Sequence, residues 1–487
     1  MSEVVGGCQA PYNRFMKRQE YDVIVIGIGS AGSRASKLAH DAGASVLAIE
    51  GGEELGGLCI LRGCMPTKTL LETAHRVHDA RDGERFGFSC SEPEIDFTAQ
   101  MDRMRSLVAR FKRAKVGSIE NGGYELVRAK PRFTGSHTIE VDGTEVRGKT
   151  FVIATGSKVS PFHFDVPDGV RVLDSDDMFL LTEAPKSALV VGAGAVGLEF
   201  AQWLARMGSA ITFSNRSPLL RKNDLDFGAE LQDAMALEMD MRVPSTIKAV
   251  EALPAGRARV TLASEGADDH TFEVDWILNG TGRIPAVDGL ELEKSGVDIG
   301  NRGQIQISES LQTNLPHIFF AGDVSGRSAI LHEANMEGNL AGRNALRVAG
   351  LADGADAKIE DWDLSIPHVE AIFSDPPFAS VGGSAVTFEA EGRQVITATK
   401  RFPEQGRGIV MGARHGLARL SADPKTGRIL GCQILGPRAD DLIHVPTTVM
   451  AYKGTAQDMV RLPWYHPTLS EVFIELAREV ASQVEAS

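Results

Sequence analysis

The chain has 487 residues, of which 43% are hydrophobic and 24% are charged, a composition typical of globular proteins rather than of disordered or fibrous chains. Its length predicts about three or four compact domains. A net charge of −14 disfavours nucleic acid or an anionic membrane as the main partner. No stretch approaches the ~18 consecutive apolar residues of a membrane-spanning helix.

Residues 1–20 are polar and mixed in charge, without the apolar segment of a secretory signal. This pattern predicts a short flexible leader. With five cysteines and no export signal, the protein is expected in the reducing cytoplasm. In that compartment a close pair of cysteines is more often catalytic or metal-binding than structural.

The chain contains an internal repeat, Tyr21–Glu50 and Ser187–Asn215. Each copy has an apolar run, a Gly-x-Gly-x-x-Gly motif, a helical stretch and a second apolar run, a pattern that predicts a strand–helix–strand unit with a dinucleotide at the start of the helix. A glycine-rich turn without a ligand could arise once, but two such turns at a constant offset of 165 residues favour two dinucleotide sites. The motif glycines are Gly27, Gly29 and Gly32 in the first copy and Gly192, Gly194 and Gly197 in the second.

The residue that ends the second strand of each unit is placed to contact a ribose. In the first unit it is Glu50, whose carboxylate suits ribose hydroxyls. In the second unit the equivalent residue is Asn215, which carries no charge, and Arg216 follows it. The two sites are therefore predicted to differ in the nucleotide they accept.

Two cysteines, Cys59 and Cys64, follow the first unit, and Pro66 is expected to interrupt the chain before a helix that begins at Thr67. Three interpretations compete. A zinc site with His75 and His78 has poor ligand spacing, and two unrelated buried thiols are possible because free cysteine is often buried. We favour a redox-active dithiol or disulfide, because the pair follows Glu50 so closely that it must lie near the first dinucleotide.

The segment GGLCILRGCMPTK resembles the redox-disulfide signature of the class I pyridine nucleotide–disulfide oxidoreductases. The resemblance extends over almost the whole chain and is nearest to the dihydrolipoamide dehydrogenase branch. Two positions depart from the family pattern, Ala286 in place of Asn and Trp464 in place of a second His. The further matching motifs are Ala154-Thr155-Gly156, Gly282-Arg283-Ile284-Pro285, Phe320-Ala321-Gly322-Asp323, Leu331-His332-Glu333-Ala334 and His466-Pro467-Thr468-Leu469-Ser470-Glu471.

The resemblance implies an α/β fold with two Rossmann-like dinucleotide-binding domains and a C-terminal α+β dimerisation domain. The implied boundaries are 21–160 and 281–352 for the FAD-binding domain, 161–280 for the NAD(P)-binding domain and 366–487 for the dimerisation domain. From about Pro367 onward the chain is expected to contain strands such as Arg393–Lys400 and Ala418–Ser421 and then a helical region near Ala439–Lys453, with Cys432 as a buried strand residue.

By resemblance, electrons pass between NAD(P)H, FAD, the Cys59–Cys64 disulfide and a dithiol or disulfide substrate, and no metal is required. Cys64 is then the thiol next to the flavin, and Cys59 is the thiol that exchanges with substrate. The cofactors would be held by the motif glycines and by Glu50, Lys68, Thr155, Gly156, Glu199, Asn215, Arg216, Arg221, Gly282, Asp323 and His332.

The resemblance also makes His466 the acid–base residue, oriented by Glu471 and donated by the partner subunit of a homodimer. The alternatives are a surface histidine, and a Glu471 that only caps a helix as part of a Thr-x-x-Glu capping box. We expect one carboxylate to be unable to serve both roles fully. Lys68 and Glu199 are expected to form an ion pair that favours reduced flavin; the alternative is an ordinary exposed pair on helices.

Three functions remain open. The leading one is an NAD(P)H:disulfide oxidoreductase of dihydrolipoamide dehydrogenase type. The second is an NADPH-dependent reductase similar to glutathione reductase or mercuric reductase, although the C-terminus lacks the cysteine pair of the latter. The third is a non-catalytic nucleotide-binding flavoprotein subunit, which the intact set of Cys59, Cys64 and His466 disfavours. Since Asn215 lacks the acid that repels a 2′-phosphate, and Arg216 and Arg221 lie nearby, NADPH is expected to be used at least as well as NADH.

Overall fold

A computed structural model describes residues 16–300, 304–352 and 358–484. Most of the predicted leader, residues 1–15, lies outside this range, whereas the Lys17 N–H donates to Glu125 and Glu20 opens the first strand. The chain divides into two compact units. One comprises residues 1–65, 106–160 and 283–363, and the other comprises residues 66–105, 161–282 and 364–487. Residues 66–105 therefore group with the second unit rather than with the segments around the first glycine motif.

In the described residues the strands are β1 (Glu20–Ile26), β2 (Val46–Glu50), β3 (Glu125–Arg128), β4 (Arg132–Gly135), β5 (Thr138–Val141), β6 (Thr144–Ile153), β7 (Ser157–Val159), β8 (Val172–Leu173), β9 (Ser187–Val191), β10 (Ala210–Ser214), β11 (Asp240–Arg242), β12 (Thr246–Ala252), β13 (Ala258–Ala263), β14 (His270–Val274), β15 (Trp276–Asn279), β16 (Arg283–Pro285), β17 (Ile318–Phe320), β18 (Val369–Ile372), β19 (Phe378–Gly382), β20 (Ile396–Arg401), β21 (Leu417–Ala422) and β22 (Ile429–Leu435).

Over the same residues the α-helices are α1 (Ser30–Asp41), α2 (Leu58–Arg62), α3 (Cys64–Arg81), α4 (Phe97–Glu120), α5 (Ala195–Arg206), α6 (Leu225–Met235), α7 (Leu331–Val348), α8 (Ala385–Ala390), α9 (Gly406–Val410), α10 (Ala439–Leu442), α11 (His444–Ala451), α12 (Ala456–Arg461) and α13 (Val472–Gln483). Short 3₁₀ turns at Asp323–Ser325 and Leu469–Glu471 carry two of the motifs.

The first unit is built on a parallel sheet in the order β3-β2-β1-β6-β17, and the antiparallel pair β5 and β4 continues from the first half of β6. Strands β1 and β2 are buried over almost their whole length, because both faces of a parallel sheet are covered. Helices α1 and α7 pack on one face through small residues, and Gly338 lies so close to Ala31 that a Cβ there would be 2.3 Å from the Ala31 carbonyl oxygen.

The second unit contains a parallel sheet in the order β11-β10-β9-β15-β8, beside the antiparallel sheet β12-β13-β14. Its β9–α5–β10 segment repeats the β1–α1–β2 segment of the first unit. The two predicted strand–helix–strand units are therefore present, and the predicted α/β fold class is confirmed.

The C-terminal part of the second unit has an antiparallel sheet in the order β18-β19-β22-β21-β20, with α13 packed against β20 and β21. The predicted strands and helical region are present with slightly different ends, and Cys432 is buried in β22 as expected. Burial raises the pKa of this thiol far above its ordinary range, which keeps it protonated.

The region around the cysteine pair differs from the expectation of an irregular loop followed by a helix at Thr67. Cys59 lies in the short helix α2, and α3 begins at Cys64, so that Pro66 lies in the first turn of a helix rather than before it. Proline is tolerated there because N–H groups of the first turn have no partner within the helix. The expected break at Pro66 is therefore wrong.

No helix in the described part of the chain combines the length and apolar character needed to cross a membrane.

Candidate functional site

The first glycine turn of the first unit joins β1 to α1 and leaves no room for side chains at two of its three glycines. Gly27 has φ +90°, and a Cβ there would lie 2.4 Å from the Ala154 carbonyl oxygen. A Cβ on Gly32 would lie 1.8 Å from the carbonyl oxygen of Gly27 itself. The protein's own backbone therefore requires glycine at both positions.

The turn between β9 and α5 in the second unit has the same construction. Gly192 has φ +112°, and a Cβ there would lie 2.2 Å from the Gly280 carbonyl oxygen. A Cβ on Gly197 would lie 1.9 Å from the Gly192 carbonyl oxygen. The repeat found in the sequence is thus also a repeat of backbone packing.

The central glycine of each turn behaves differently. Gly194 has φ −79° and ψ 174°, an extended conformation that any residue adopts, whereas Gly29 combines φ −75° with ψ −144°. A Cβ on Gly29 would come no closer than 3.8 Å to another atom, and one on Gly194 would meet none within 4 Å. Steric contacts within the chain therefore do not require glycine at either position, whereas the approach of a pyrophosphate to the backbone does. Both turns fit a bound dinucleotide.

Glu50 and Asn215 make equivalent contacts at the ends of β2 and β10. Glu50 Oε2 accepts the Ile28 N–H at 3.0 Å, and Asn215 Oδ1 accepts the Ala193 N–H at 3.2 Å. Each side chain therefore fastens its own glycine turn. Glu50 also accepts from the Gly52 N–H, whereas the amide of Asn215 donates to the Ser217 carbonyl at 2.6 Å. The residue at the end of the second strand is therefore an acid in the first unit and an uncharged amide in the second.

Three further motifs of the first unit meet near Asp323. Ser157 Oγ donates to Asp323 Oδ2 at 2.7 Å, and Arg283 Nε donates to Ser157 Oγ at 3.0 Å. The hydroxyl of Thr155 is buried and has no hydrogen-bond partner among the described residues. An orphaned buried hydroxyl is uncommon and fits a site completed by a bound molecule. Two other motif residues of this unit are Gly156, which has φ +74°, and His332, which is exposed at the start of α7. Gly282, with φ +128°, ends a segment of the second unit.

Glu337 is a residue of this region that the sequence analysis missed. Its side chain on α7 is 2% exposed, and Oε2 accepts the Gly322 N–H at 2.7 Å, next to Asp323. Burial raises the pKa of Glu337 to about 7, against the opposing effects of that N–H, of Ser325 and of Arg327. A glutamate inside a helix next to a glycine-rich turn gives no distinct signal in one sequence.

We expect Glu337→Gln to match the wild type in thermal stability near pH 4.5 and to exceed it near pH 8. The carboxyl ionises near its ordinary value of 4.5 when unfolded and near 7 when folded. Between these two pH values the folded chain keeps Glu337 protonated, whereas the unfolded chain has lost that proton. The free energy of unfolding of the wild type therefore falls as the pH rises, by about 3 kcal/mol at pH 8. Glutamine keeps an acceptor for the Gly322 N–H. Melting temperatures of both proteins at the two pH values test this; an equal difference at both would contradict it.

Cys59 and Cys64 lie on the consecutive helices α2 and α3, directly after the strand that carries Glu50. Cys59 is half-buried and Cys64 is exposed, so they are not two buried core thiols. His75 is half-buried on α3, where desolvation lowers its pKa. Among the described residues no group of three or more His, Cys, Asp or Glu side chains is arranged to hold a metal.

The predicted ion pair between Lys68 and Glu199 is present in the second unit. Lys68 Nζ lies 2.9 and 2.8 Å from the two carboxylate oxygens of Glu199. Glu199 is 2% exposed and Lys68 is 30% exposed, so the alternative of an ordinary exposed pair is wrong. Glu199 also accepts the Phe373 N–H at 3.0 Å, which fixes its orientation.

His466 and Glu471 form a pair at the C-terminal end of the second unit. His466 Nδ1 lies 3.0 Å from Glu471 Oε1, while Oε2 accepts the Thr468 N–H at 2.8 Å. The expectation that one carboxylate could not serve both roles is therefore wrong, because its two oxygens are divided between them. The Thr468 N–H, followed by His466, lowers the pKa of Glu471. The imidazole of His466 is 80% exposed, with Nε2 directed away from the carboxylate.

Arg216 and Arg221 are both exposed, just after β10 in the second unit. Neither guanidinium has a hydrogen bond or an ion pair with another described residue. Arginine side chains elsewhere in this unit are mostly paired, such as Arg206 and Arg419.

Each of the two glycine turns fits a dinucleotide, and a cysteine pair follows the first strand–helix–strand unit. Together these features define a redox enzyme that couples nucleotide and thiol chemistry. The chain belongs to the pyridine nucleotide-disulphide oxidoreductase family, whose sequence profile matches residues 21–338. The dimerisation domain of the same family matches residues 368–477. The protein is accordingly an FAD-dependent, NAD(P)H-dependent disulfide oxidoreductase and a homodimer, in agreement with the prediction from its motifs.

Several known proteins are similar over most of this chain. A dihydrolipoyl dehydrogenase from Thermus scotoductus is 34% identical over 95% of this chain and 98% of its own, and one from Geobacillus stearothermophilus is 31% identical over 95% and 96%. A mercuric reductase from Bacillus cereus is 29% identical over 90% of this chain and 68% of its own. The solved structure of the HOCl-induced flavoprotein disulfide reductase RclA from Escherichia coli shares the fold, with a TM-score of 0.79 at 24% identity over 94% of this chain and 99% of its own.

Proposed function

We propose that this enzyme transfers electrons between NAD(P)H and a dithiol or disulfide substrate of the dihydrolipoamide type through Cys59 and Cys64. The observation that carries the proposal is the position of the two cysteines on consecutive helices that directly follow Glu50, the residue fastened to the first glycine turn. The similarity to dihydrolipoyl dehydrogenases over the full length supports the substrate class.

In the reducing direction, the Cys59 thiolate attacks one sulfur of the substrate disulfide and releases the other as a thiolate, which takes a proton from His466. The Cys64 thiolate then attacks Cys59 Sγ and closes the Cys59–Cys64 disulfide, and the second substrate sulfur leaves as a thiolate that takes its proton from solvent. The substrate gains two electrons and two protons, and the cysteine pair loses two electrons. When bound, FAD supplies the two-electron chemistry that links this pair to the nicotinamide nucleotide.

We assign proton transfer to Nε2 of His466, because its Nδ1 faces a carboxylate that can only accept a hydrogen bond. The lowered pKa of Glu471 keeps that carboxylate ionised near neutral pH, so it holds the imidazole in one orientation. We propose that His466 serves Cys59 of the partner subunit, as the homodimer and the exposure of the ring allow. Few cysteines and a thiol-exchange chemistry support a cytoplasmic location.

The FAD site is proposed to comprise Gly27, Gly29, Gly32, Glu50, Thr155, Gly156, Asp323 and His332. The nicotinamide nucleotide is proposed to bind at Gly192, Gly194, Gly197, Asn215, Arg216, Arg221 and Gly282. The buried pair of Lys68 and Glu199 is proposed to place a cation that favours the reduced, anionic form of bound FAD. We retain the domain boundaries 21–160 with 281–352, 161–280 and 366–487 as part of this proposal.

A panel of substrates tests the proposed substrate class. We expect lipoamide to be turned over faster than glutathione disulfide or Hg(II) under matched coenzyme concentrations. A second candidate, a mercuric reductase-like activity, is supported by the similarity to the Bacillus cereus enzyme. Preferential turnover of Hg(II) or glutathione disulfide would replace the dihydrolipoamide assignment while leaving the cysteine chemistry in place.

We expect NADPH to be used at least as well as NADH, and Arg216→Ala to reduce kcat/KM for NADPH about tenfold to a hundredfold while changing the value for NADH little. A guanidinium–phosphate contact contributes about 1.5–3 kcal/mol, and no acid at position 215 opposes it. Steady-state kinetics with both coenzymes give the answer.

Two variants control this experiment. Arg438→Ala removes another exposed guanidinium, from the C-terminal region, and should leave the preference unchanged. Asn215→Glu should restore repulsion of the 2′-phosphate and shift the preference towards NADH. A wild-type preference for NADH above tenfold would remove the phosphate site from the proposal.

A further inference from the structure

Phe373 touches both members of the Lys68–Glu199 pair. Its N–H donates to Glu199 Oε1 at 3.0 Å, and its ring centroid lies 4.5 Å from Lys68 Nζ. The ammonium therefore lies between a carboxylate and an aromatic face, both of which attract a cation. Phe373 directly follows strand β18, far along the chain from either charged residue.

A polar cluster on α5 holds the segment that carries Phe373. Gln202 accepts the Asp375 N–H at 2.7 Å and donates to the Asp375 carbonyl at 2.9 Å. Arg206 Nη2 lies 2.9 Å from Asp375 Oδ2, and its side chain is 2% exposed. Glu199, Gln202 and Arg206 are spaced by three and four residues and so share one face of α5. The same helix face thus binds residues 373 and 375 at three points.

This arrangement removes the freedom that a lysine side chain normally has. An ammonium on four methylenes pays side-chain entropy to remain in one place, and a single exposed carboxylate rarely holds it there. Here the carboxylate is itself buried and held by a backbone N–H, and the ammonium also contacts the aromatic ring. The position of the charge is therefore determined by Phe373 as well as by Glu199.

We propose that Phe373 is a positioning residue of the redox reaction, which fixes the ammonium of Lys68 so that its charge acts on bound FAD. The segment is in turn held by Asp375 through Gln202 and Arg206. This inference rests on the role proposed above for the Lys68–Glu199 pair. It concerns the midpoint potential of the cofactor, which a merely structural residue would leave unchanged.

The test measures the two-electron midpoint potential of bound FAD in the holoenzyme dimer, in a Cys64→Ser background that removes the disulfide couple. Phe373→Leu keeps the N–H and an apolar side chain but removes the aromatic face. We expect it to disfavour reduction about threefold to tenfold, or ~15–30 mV for a two-electron couple. Phe373→Tyr restores the ring and should return the wild-type potential.

A lysine variant separates failure of the proposed pair from failure of this inference. Lys68→Met should lower the potential at least as much as Phe373→Leu; an unchanged potential there would overturn both the role of the pair and this inference. A shift in Lys68→Met without one in Phe373→Leu would overturn the inference alone.

Phe388→Leu removes another ring with a cation above it, that of Arg393, and should leave the potential unchanged. If Phe373→Leu does not retain FAD, Asp375→Asn serves in its place, since it weakens the Arg206 contact but keeps the bonds to Gln202. A shift in Asp375→Asn supports the inference, and an unchanged potential overturns it.

Discussion

Replacing Cys59 with serine is expected to lower disulfide reduction by at least about a thousandfold while NADPH still reduces the bound FAD. A serine hydroxyl is not ionised near neutral pH and cannot form the mixed disulfide, so exchange with substrate stops. Cys64→Ser should have the same effect on turnover, because the mixed disulfide could no longer be resolved. Turnover with lipoamide and stopped-flow reduction of FAD by NADPH, measured on the same preparations, separate the two half-reactions.

Cys90→Ser is the matched control. Cys90 is exposed, as Cys64 is, and its Sγ donates to the Ala80 carbonyl at 3.4 Å. This variant should keep wild-type turnover. Substantial disulfide reduction by Cys59→Ser would show that electrons leave the enzyme by another route and would falsify the proposed thiol chemistry.

A mixed dimer with Cys59→Ser in one subunit and His466→Ala in the other is expected to retain about half of wild-type turnover. If His466 serves the partner's cysteine pair, one site of this dimer receives both defects and the other receives neither. The two parent homodimers should be at least about a hundredfold less active, since general acid–base catalysis typically contributes 10²–10⁴-fold. Differently tagged subunits allow the mixed dimer to be purified before assay.

The opposite mixed dimer, one wild-type subunit with one subunit carrying both substitutions, gives the reciprocal result. Under a shared site, each of its two sites has one defect and the dimer should be inactive. If each subunit instead used its own His466, this dimer would be half active and the first would be inactive. The pair of measurements therefore distinguishes the two arrangements without relying on a loss of activity alone.

Much of the fold followed from local patterns. The glycine spacing predicted both strand–helix–strand units, since the turn requires glycine wherever a Cβ would meet the carbonyl of Ala154 or Gly280. Helix α3 was predicted except for its first turn, because proline is compatible with either the start or the interruption of a helix. The pairing of Lys68 with Glu199 came from family resemblance; no pattern in the chain links residues so far apart.

By itself, the sequence determined the two nucleotide-binding turns, the cysteine pair and the family, because each depends on residue types at short, regular spacing. Only the tertiary structure decided how Glu471 divides its two oxygens between His466 and Thr468, and that Glu337 is buried beside Asp323. It also placed Phe373 against both Lys68 and Glu199. Such contacts depend on the direction of individual side chains and on burial by elements distant in sequence. Local periodicity determines neither the direction of a side chain nor the distant elements that bury it.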